Sequence, residues 1–237
     1  ISLNNINTLN NTGSEIISAG VLSMTAVDTL NNSDAGSLYG GSKVALSDIH
    51  NLNNANGSSI HSDTLVDIKQ INTLNNATDS AISSVGDINI DNVTTFNNDA
   101  VIISEGSIGI THGDTFKNEG VVQAGTDLII NNIRNLINQG SDNVLMALGN
   151  LTFSDIESLL NTDHAVITAG MNTVLNAIGV VTNAGAGVIQ AQDGKVEITA
   201  STLNNTGAAP SAGGMDDVST IVAGGDVVVN ADTVNNS

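Results

Sequence analysis

The chain has 237 residues, with 24 acidic and 5 basic side chains and a formal net charge of −19. Nucleic acids and anionic membranes are bound through clustered Lys and Arg, so five basic residues scattered singly argue against both as partners. Aromatic residues make up 2% of the chain and Cys is absent, which excludes disulfides and Cys-ligated metals and argues against a large aromatic core.

An apolar residue followed two positions later by Asn recurs along the whole chain. Ten intervals separate the eleven copies; nine of them span 20 to 23 residues and the last spans 31. A period near 22 indicates one small unit stacked many times rather than a globular enzyme core. The apolar anchors are Leu9, Leu30, Leu52, Leu74, Phe96, Phe116, Leu136, Leu159, Val181, Leu203 and Val234. The matching asparagines are Asn11, Asn32, Asn54, Asn76, Asn98, Asn118, Asn138, Asn161, Asn183, Asn205 and Asn236.

Within one unit, short apolar runs alternate with turn residues. After Leu74 come Ala81–Val85, Gly86, and then Ile88–Asp91, in which apolar and polar residues alternate as in a half-buried strand. Runs of four to six residues are too short for typical helices. The sequence therefore predicts an all-β fold, a parallel β-helix of about ten coils of about 22 residues, extending over residues 1–237.

Two residue types recur at fixed places in the coil. Asn can donate and accept through its amide, so stacked copies are expected to form a hydrogen-bonded ladder along the axis. A glycine also recurs once in most coils, and we expect it to occupy a corner that needs positive φ, with Asp63 near that place in the third coil. These glycines are Gly20, Gly41, Gly86, Gly106, Gly125, Gly149, Gly170, Gly194 and Gly225.

The position between anchor and ladder is Asn in the first five coils and again at Asn204 and Asn235. In between it becomes Lys117, Ile137, Leu160 and Thr182. Residues 116–183 are therefore atypical coils. They fit either sequence drift around a wider core or a binding face, since repeat proteins often place function on atypical repeats.

The long last interval contains a Gly-, Ala-, Pro- and Ser-rich run at residues 207–217, which indicates a loop inserted into one coil. This loop is either a tolerated insertion or a recognition loop. With the atypical coils, it supplies the candidate receptor-binding residues. These are Arg134, Phe153, His164, Pro210, Met215, Asp216 and Asp217, with Tyr39 as an isolated aromatic outlier.

No catalytic, cofactor or metal site is predicted. The four histidines do not cluster, and His50 and His61 lie about half a coil apart, which places them on different faces. Asp216 and Asp217 form the only adjacent acidic pair, and they fall in the inserted loop. No nucleotide-binding or nucleophile motif occurs. No apolar run is long enough for a membrane span, and no signal peptide is present.

The repeat resembles a known family. Leu9-Asn10-Asn11-Thr12-Gly13, followed by Ile17-Ser18-Ala19-Gly20, Leu22–Ala26 and Leu30-Asn31-Asn32, is similar to the haemagglutinin-type repeat of two-partner-secretion exoproteins. The resemblance covers nearly the whole chain, is strongest in residues 1–110 and weakens in 116–183. It implies a right-handed β-helical filament, exported to the bacterial surface by an outer-membrane transporter, and no catalytic residues. The family includes filamentous haemagglutinin adhesins and the toxin-delivery effectors of contact-dependent growth inhibition.

The expected function is therefore a filament segment of a longer, secreted surface exoprotein. It acts as a rigid shaft and as a candidate region for binding a protein or glycan receptor on a target cell. The alternative is a β-helical enzyme acting on polysaccharides, which an acidic groove of aligned carboxylates would favour. The net charge also suits a basic partner, although nothing in the sequence selects one.

Overall fold

The structure is a computed structural model that describes residues 1–207 and 218–237. Every regular element in these two ranges is a β-strand, and no helix in them could cross a membrane. Long strands of 10 to 13 residues alternate with short strands of four. In chain order the strands are β1 (Ser2–Thr12), β2 (Glu15–Ser18), β3 (Val21–Ser33), β4 (Ser37–Gly40), β5 (Lys43–Asn54), β6 (Ser59–Ser62), β7 (Leu65–Asn76), β8 (Ala81–Ser84), β9 (Asp87–Asn98), β10 (Val101–Ser104), β11 (Ile108–Asn118), β12 (Val121–Ala124), β13 (Leu128–Gln139), β14 (Val144–Ala147), β15 (Leu151–Thr162), β16 (Val166–Ala169), β17 (Thr173–Ala184), β18 (Val188–Ala191), β19 (Val196–Thr206), β20 (Thr220–Ala223) and β21 (Val227–Asn236).

The strands form two parallel sheets. The long strands make one sheet of eleven and the short strands one sheet of ten, each ordered as in the chain. The apolar anchors stack in register, as in the pairing of Leu30 with Leu52 and of Phe96 with Phe116. The predicted parallel β-helix with coils of about 22 residues is confirmed.

Each long strand from β1 to β17 bends near its middle at one residue with positive φ. Asp48 has φ of 53°, Asn92 of 56° and Asn132 of 57°, and the residue that follows each of them points into the core. Asn and Asp adopt this left-handed conformation more readily than other non-glycine residues. The same bend recurs in β1 to β17 at Asn5, Ala26, Asp48, Gln70, Asn92, His112, Asn132, Asp155 and Ala177. The bend divides each of these long strands into two arms, and the two arms together with the short strand give the coil three faces.

The predicted role of the recurring glycines is wrong. Positive-φ glycines in the described residues are Gly13, Gly57, Gly140 and Gly185, and none of them belongs to the predicted set. The predicted glycines are instead needed where neighbouring coils approach closely. A Cβ on Gly125 would lie 2.1 Å from the carbonyl oxygen of Glu105. Gly20, with nothing near its Cβ position, is the exception.

The core is a continuous column of stacked Leu, Ile and Val, with Phe96 and Phe116 stacked at 4.6 Å between ring centroids. Phe153 belongs to this column, where it pairs in register with Ile130 and Leu175 and is fully buried. The prediction that Phe153 contacts a receptor is therefore wrong, because its position in β15 points inward.

The eleven asparagines at the second step after each anchor form a ladder inside the coil. Asn32 Nδ2 donates to Asn54 Oδ1 at 2.8 Å, and Asn54 donates in turn to Asn76 at 2.8 Å. The same Nδ2 of Asn32 also donates to the backbone oxygen of Ser59, at the start of a short strand. All ten links are 2.7 or 2.8 Å long and run in the same direction from Asn11 to Asn236. The ladder thus ties the long-strand sheet to the short-strand sheet at every coil.

Candidate functional site

The structure separates the residues that the sequence marked as binding candidates. Arg134 lies just after the bend of β13 and is 62% exposed, while His164 is exposed at the corner before β16. Phe153 is buried in the core. Pro210, Met215, Asp216 and Asp217, with most of the predicted 207–217 loop, lie outside the described residues. Arg134 is therefore the candidate around which a described site can be built.

Asparagines at the first step after the anchor form a second ladder on the outside of the coil. Asn53 Nδ2 donates to Asn31 Oδ1 at 2.9 Å, and Asn97 donates to Asn75 at 2.9 Å. This outer ladder stops where Lys117 replaces Asn, and Lys117 instead pairs with Glu119 at 2.5 Å. The change of residue type along the atypical coils is thus a real interruption of a hydrogen-bonded array.

Arg134 bridges carboxylates from the coils on either side. Its Nη1 lies 2.6 Å from Asp114 Oδ1, and its Nε lies 3.8 Å from Glu157 Oε2. The three residues occupy equivalent positions in β11, β13 and β15, two residues after each bend. Both carboxylates are at least 40% exposed, so these pairs contribute little to folding stability. Their side chains remain available to a ligand.

The bends of β9, β11 and β13 create a shallow groove beside Arg134. A bend turns the strand so that two outward residues, such as His112 and Asp114, face the groove from one coil. The volume is about 380 Å³, and six of the seven lining residues carry a polar side chain. The lining residues are Asn92, Thr94, His112, Gly113, Asp114, Asn132 and Arg134. The groove therefore offers hydrogen-bond donors and acceptors, together with one acidic side chain, Asp114, and one basic side chain, Arg134.

Asp91 contacts His112, one of the residues that line this groove. Thr111 Oγ1 donates to Asp91 Oδ1 at 2.7 Å, and His112 Nδ1 lies 2.8 Å from the same oxygen. Partial burial raises the pKa of Asp91, but the hydrogen bonds from Thr111 and His112 outweigh it and hold the pKa below its ordinary value. A lowered pKa keeps Asp91 ionised at neutral pH. The contacts of ionised Asp91 therefore stabilise the fold fully at pH values above the pKa of Asp91 in the unfolded chain. This stabilisation is lost as the pH falls through the lower pKa of Asp91 in the folded protein.

All five basic side chains of the sequence are paired with carboxylates. Lys43 lies 2.6 Å and Lys69 3.1 Å from Asp67, and Lys195 lies 2.5 Å from Glu197. Lys117 and Arg134 are paired as described above. A phosphate or sulfate would therefore have to displace an existing carboxylate partner, which disfavours anionic ligands.

A second groove follows the bends of β3, β5 and β7. It has a volume of about 310 Å³ and includes Asp28, Asp48 and His50 among its lining residues. A polysaccharide-active site in this groove would depend on the carboxylates of Asp28 and Asp48. Among residues 1–207 and 218–237, no group of three or more His, Asp or Glu side chains could hold a metal ion.

The short-strand sheet carries a cluster that the sequence did not predict. Tyr39 Oη donates to Asp63 Oδ2 at 2.5 Å, and the Tyr39 ring stacks on His61 with centroids 5.8 Å apart. His61 Nδ1 lies 2.8 Å from Ser83 Oγ. The hydrogen bond to Asp63 raises the pKa of Tyr39. These residues are about 22 positions apart, so the coil period was the signal that could have grouped them.

The same signal could have found the Arg134 groove. His112, Asp114 and Glu157 were not singled out from the sequence, although counting one coil back or forward from Arg134 reaches Asp114 and Glu157. His50 lies on the long-strand sheet and His61 on the short-strand sheet, so their predicted separation is confirmed. Comparison of the chain with protein-family models, curated proteins and solved structures found no match.

Proposed function

We propose that this chain is a filament segment of a secreted bacterial surface exoprotein, with a rigid shaft and a receptor-contacting groove at Arg134. One observation supports the proposal of a rigid shaft. The inner asparagine ladder joins every long strand to the next with no interruption from β1 to β21. A rod with the same internal hydrogen bond at every coil has no flexible hinge along its length and therefore acts as a rigid spacer.

The haemagglutinin-type repeat supports the proposal that the chain reaches the surface through an outer-membrane transporter. A chain without Cys cannot form a crosslink that would block passage through a pore in an unfolded state. Stacking in chain order also suits folding as the chain emerges, because each completed coil presents an edge on which the next coil pairs. Adhesion and contact-dependent toxin delivery are both compatible with this shaft.

The contact region is placed at the Arg134 groove because several polar side chains from adjacent coils converge there. Asp114, Arg134 and Glu157 are exposed and alternate in charge along the axis. Alternating exposed charges favour recognition of a protein or glycan receptor by directed polar contacts. The groove is shallow, so a broad receptor surface fits it better than a small ligand.

Export is tested by fusing the chain between a two-partner secretion signal and a C-terminal epitope, in a Gram-negative host with the matching transporter. We expect the epitope on the cell surface. A control fusion with two added cysteines that form a disulfide in the periplasm should be retained. Retention of the unmodified fusion under the same conditions would contradict an exported shaft.

Receptor contact is tested by measuring how the labelled chain binds to a panel of target cells. Arg134→Ala should reduce binding at least several-fold, whereas Lys195→Ala, which removes another exposed and paired cation, should not. A variant with residues 207–217 trimmed to a short corner tests the predicted loop separately. Equal binding by wild type and Arg134→Ala would rule out the groove as the contact.

The enzyme alternative rests on Asp28, Asp48 and His50 in the second groove. It is tested by incubating the chain with a panel of polysaccharides and measuring new reducing ends. We expect none. New reducing ends that disappear in Asp48→Asn would overturn the proposal in favour of a polysaccharide-active β-helix.

A further inference from the structure

The short-strand sheet is almost free of charge in a strongly acidic protein. Its ten strands of four residues each contain Glu15 as their sole Asp, Glu, Lys or Arg, although the chain has 29 such residues. From β8 to β18 the strands also lack His. Among residues 1–207 and 218–237, every Asp, Glu, Lys and Arg except Glu15 therefore lies in the long-strand sheet or at a corner.

The first outward position of these strands forms an apolar column. The first outward residue of each strand from β8 to β18 is Ala or Val, namely Ala81, Val101, Val121, Val144, Val166 and Val188. The neighbouring outward column contributes Ile103 and Met146 among the polar residues Ser83, Gln123, Thr168 and Gln190. Val101 and Ile103 are each 38% exposed. We call the eight apolar residues of these two columns the short-strand stripe. Leu148 and Met171 extend it at the adjacent corner, where they are 57% and 56% exposed.

Carboxylates flank the short-strand stripe. Each strand from β8 to β16 is preceded by an exposed acidic residue at the corner next to the inner ladder, and Glu105 and Asp193 lie at the opposite corner. The acidic residues of the first corner are Asp79, Asp99, Glu119, Asp142 and Asp163. Glu119 is paired with Lys117, and the side chain of Asp163 accepts from Gln139. The stripe is thus an uncharged centre with a negative rim.

The size of the stripe fits the centre of a small protein interface. Six strands about 4.8 Å apart and four residues of about 3.3 Å each give the whole short-strand face an area of roughly 380 Å², and the stripe is the apolar part of that face. A standard interface buries about 800 Å² on each partner, so the charged rim must supply the rest of the contact. Interface centres depleted of charge and surrounded by polar rims have this arrangement.

The negative charge of the rim indicates which kind of partner binds the short-strand stripe. A second copy of the chain would bring two acidic rims together, and an anionic membrane would be repelled in the same way. We propose that the short-strand stripe docks a protein segment with an apolar face flanked by Lys and Arg. This surface lies on a different sheet from the Arg134 groove, so the inference goes beyond the proposed function and does not depend on it.

The test uses three helical peptides of 18 residues as probes. The first has a Leu face flanked by Lys, the second has the same composition in scrambled order, and the third has Glu in place of Lys. Fluorescence anisotropy at about 0.1 M salt, where charges are screened beyond about 10 Å, gives the affinities. We expect the first peptide to bind at least tenfold more tightly than the second, and the third not to bind.

The triple variant Val121→Thr, Val144→Thr and Val166→Thr removes apolar surface without changing charge. It should weaken binding of the first peptide at least tenfold. The matched control, Ile129→Thr, Val174→Thr and Val180→Thr, alters outward apolar residues of the long-strand sheet and should leave binding unchanged. Urea unfolding of both variants checks that each keeps its fold.

Several outcomes would overturn the proposal. Equal binding of the first and second peptides would show attraction by net charge alone. Equal loss in the two triple variants, or no loss in either, would remove the stripe from the contact. Sedimentation showing a dimer that the stripe variant abolishes would identify a second copy as the occupant, and stripe-dependent binding to phosphatidylglycerol vesicles would identify a membrane.

Discussion

At the scale of single residues, the two asparagine ladders differ in environment and in direction. Inner amides such as Asn76 are fully buried and donate toward the C-terminal coil, whereas outer amides such as Asn75 are half-buried and donate toward the N-terminal coil. A buried amide without a partner costs the full desolvation penalty, but water replaces a partner at the surface. A substitution in the buried part of the inner ladder should therefore cost more stability than one in the outer ladder.

Adjacent residues allow a direct test of this difference. Asn76→Ala leaves Asn98 Oδ1 and the backbone oxygen of Val101 without their donor, and Asn54 Nδ2 without one acceptor. We expect a loss of about 2–4 kcal/mol in the free energy of unfolding. Asn75→Ala should cost less than about 1 kcal/mol. Urea unfolding measures both, and equal losses would show that burial does not distinguish the ladders.

At the scale of elements, the repeating unit is one bent long strand, one short strand and the two corners between them. Successive units pair in the same register over most of the chain, as in the pairing of Leu65 with Asp87. Between β17 and β19 the register shifts by one residue after Leu175, and β19 is correspondingly one residue shorter than β17. A unit can therefore lose its bend residue and still stack.

Removal of one complete unit should leave the fold intact. Deleting residues 65–86 places β9 directly on β5 and brings Asn54 to Asn98, so both sheets and the inner ladder remain continuous. We expect small-angle X-ray scattering to show a rod shorter by about 4.8 Å, with unchanged circular dichroism. Deleting residues 65–75, half a unit, should abolish folding because it places polar positions in the core. Loss of structure in both deletions would contradict independent stacking of units.

At the scale of the whole molecule, charge is distributed unevenly around the rod. All five cations are paired, yet 24 acidic groups leave a large uncompensated negative charge. Repulsion among these groups opposes the compact state. Exposed ion pairs contribute little in comparison, since each is worth at most about 1 kcal/mol.

Salt should therefore stabilise the rod. Raising the ionic strength from about 0.01 M to about 0.1 M shortens the Debye length from about 30 Å to about 10 Å and screens the carboxylates from one another. We expect the thermal midpoint to rise by several degrees, measured by circular dichroism. Equal concentrations of NaCl and KCl should act alike, which separates screening from specific ion binding. A midpoint that falls with salt would show that the ion pairs outweigh the repulsion.

The sequence by itself determined the period, the parallel coil and the ladder of Asn11 to Asn236. These features depend on interactions that repeat in every coil, so the same residue types recur at a fixed spacing and can be recognised in the sequence. It also marked Arg134 and the loss of the first-step asparagine from Lys117 to Thr182. It did not predict the bend, because residues as different as Ala26, Asp48 and His112 adopt it and no single residue type marks the position.

Only the tertiary structure decided which side chains meet. The sequence placed Phe153 among the binding residues, but the strand turns its side chain into the core. It assigned the recurring glycines to positive φ, whereas most of them are required because the backbone of the neighbouring coil leaves no room for a Cβ. Arg134, Asp114 and Glu157 meet because three bends align along the axis. Contacts between coils depend on which way each side chain faces, and that direction is set by the bends and corners that stacking creates.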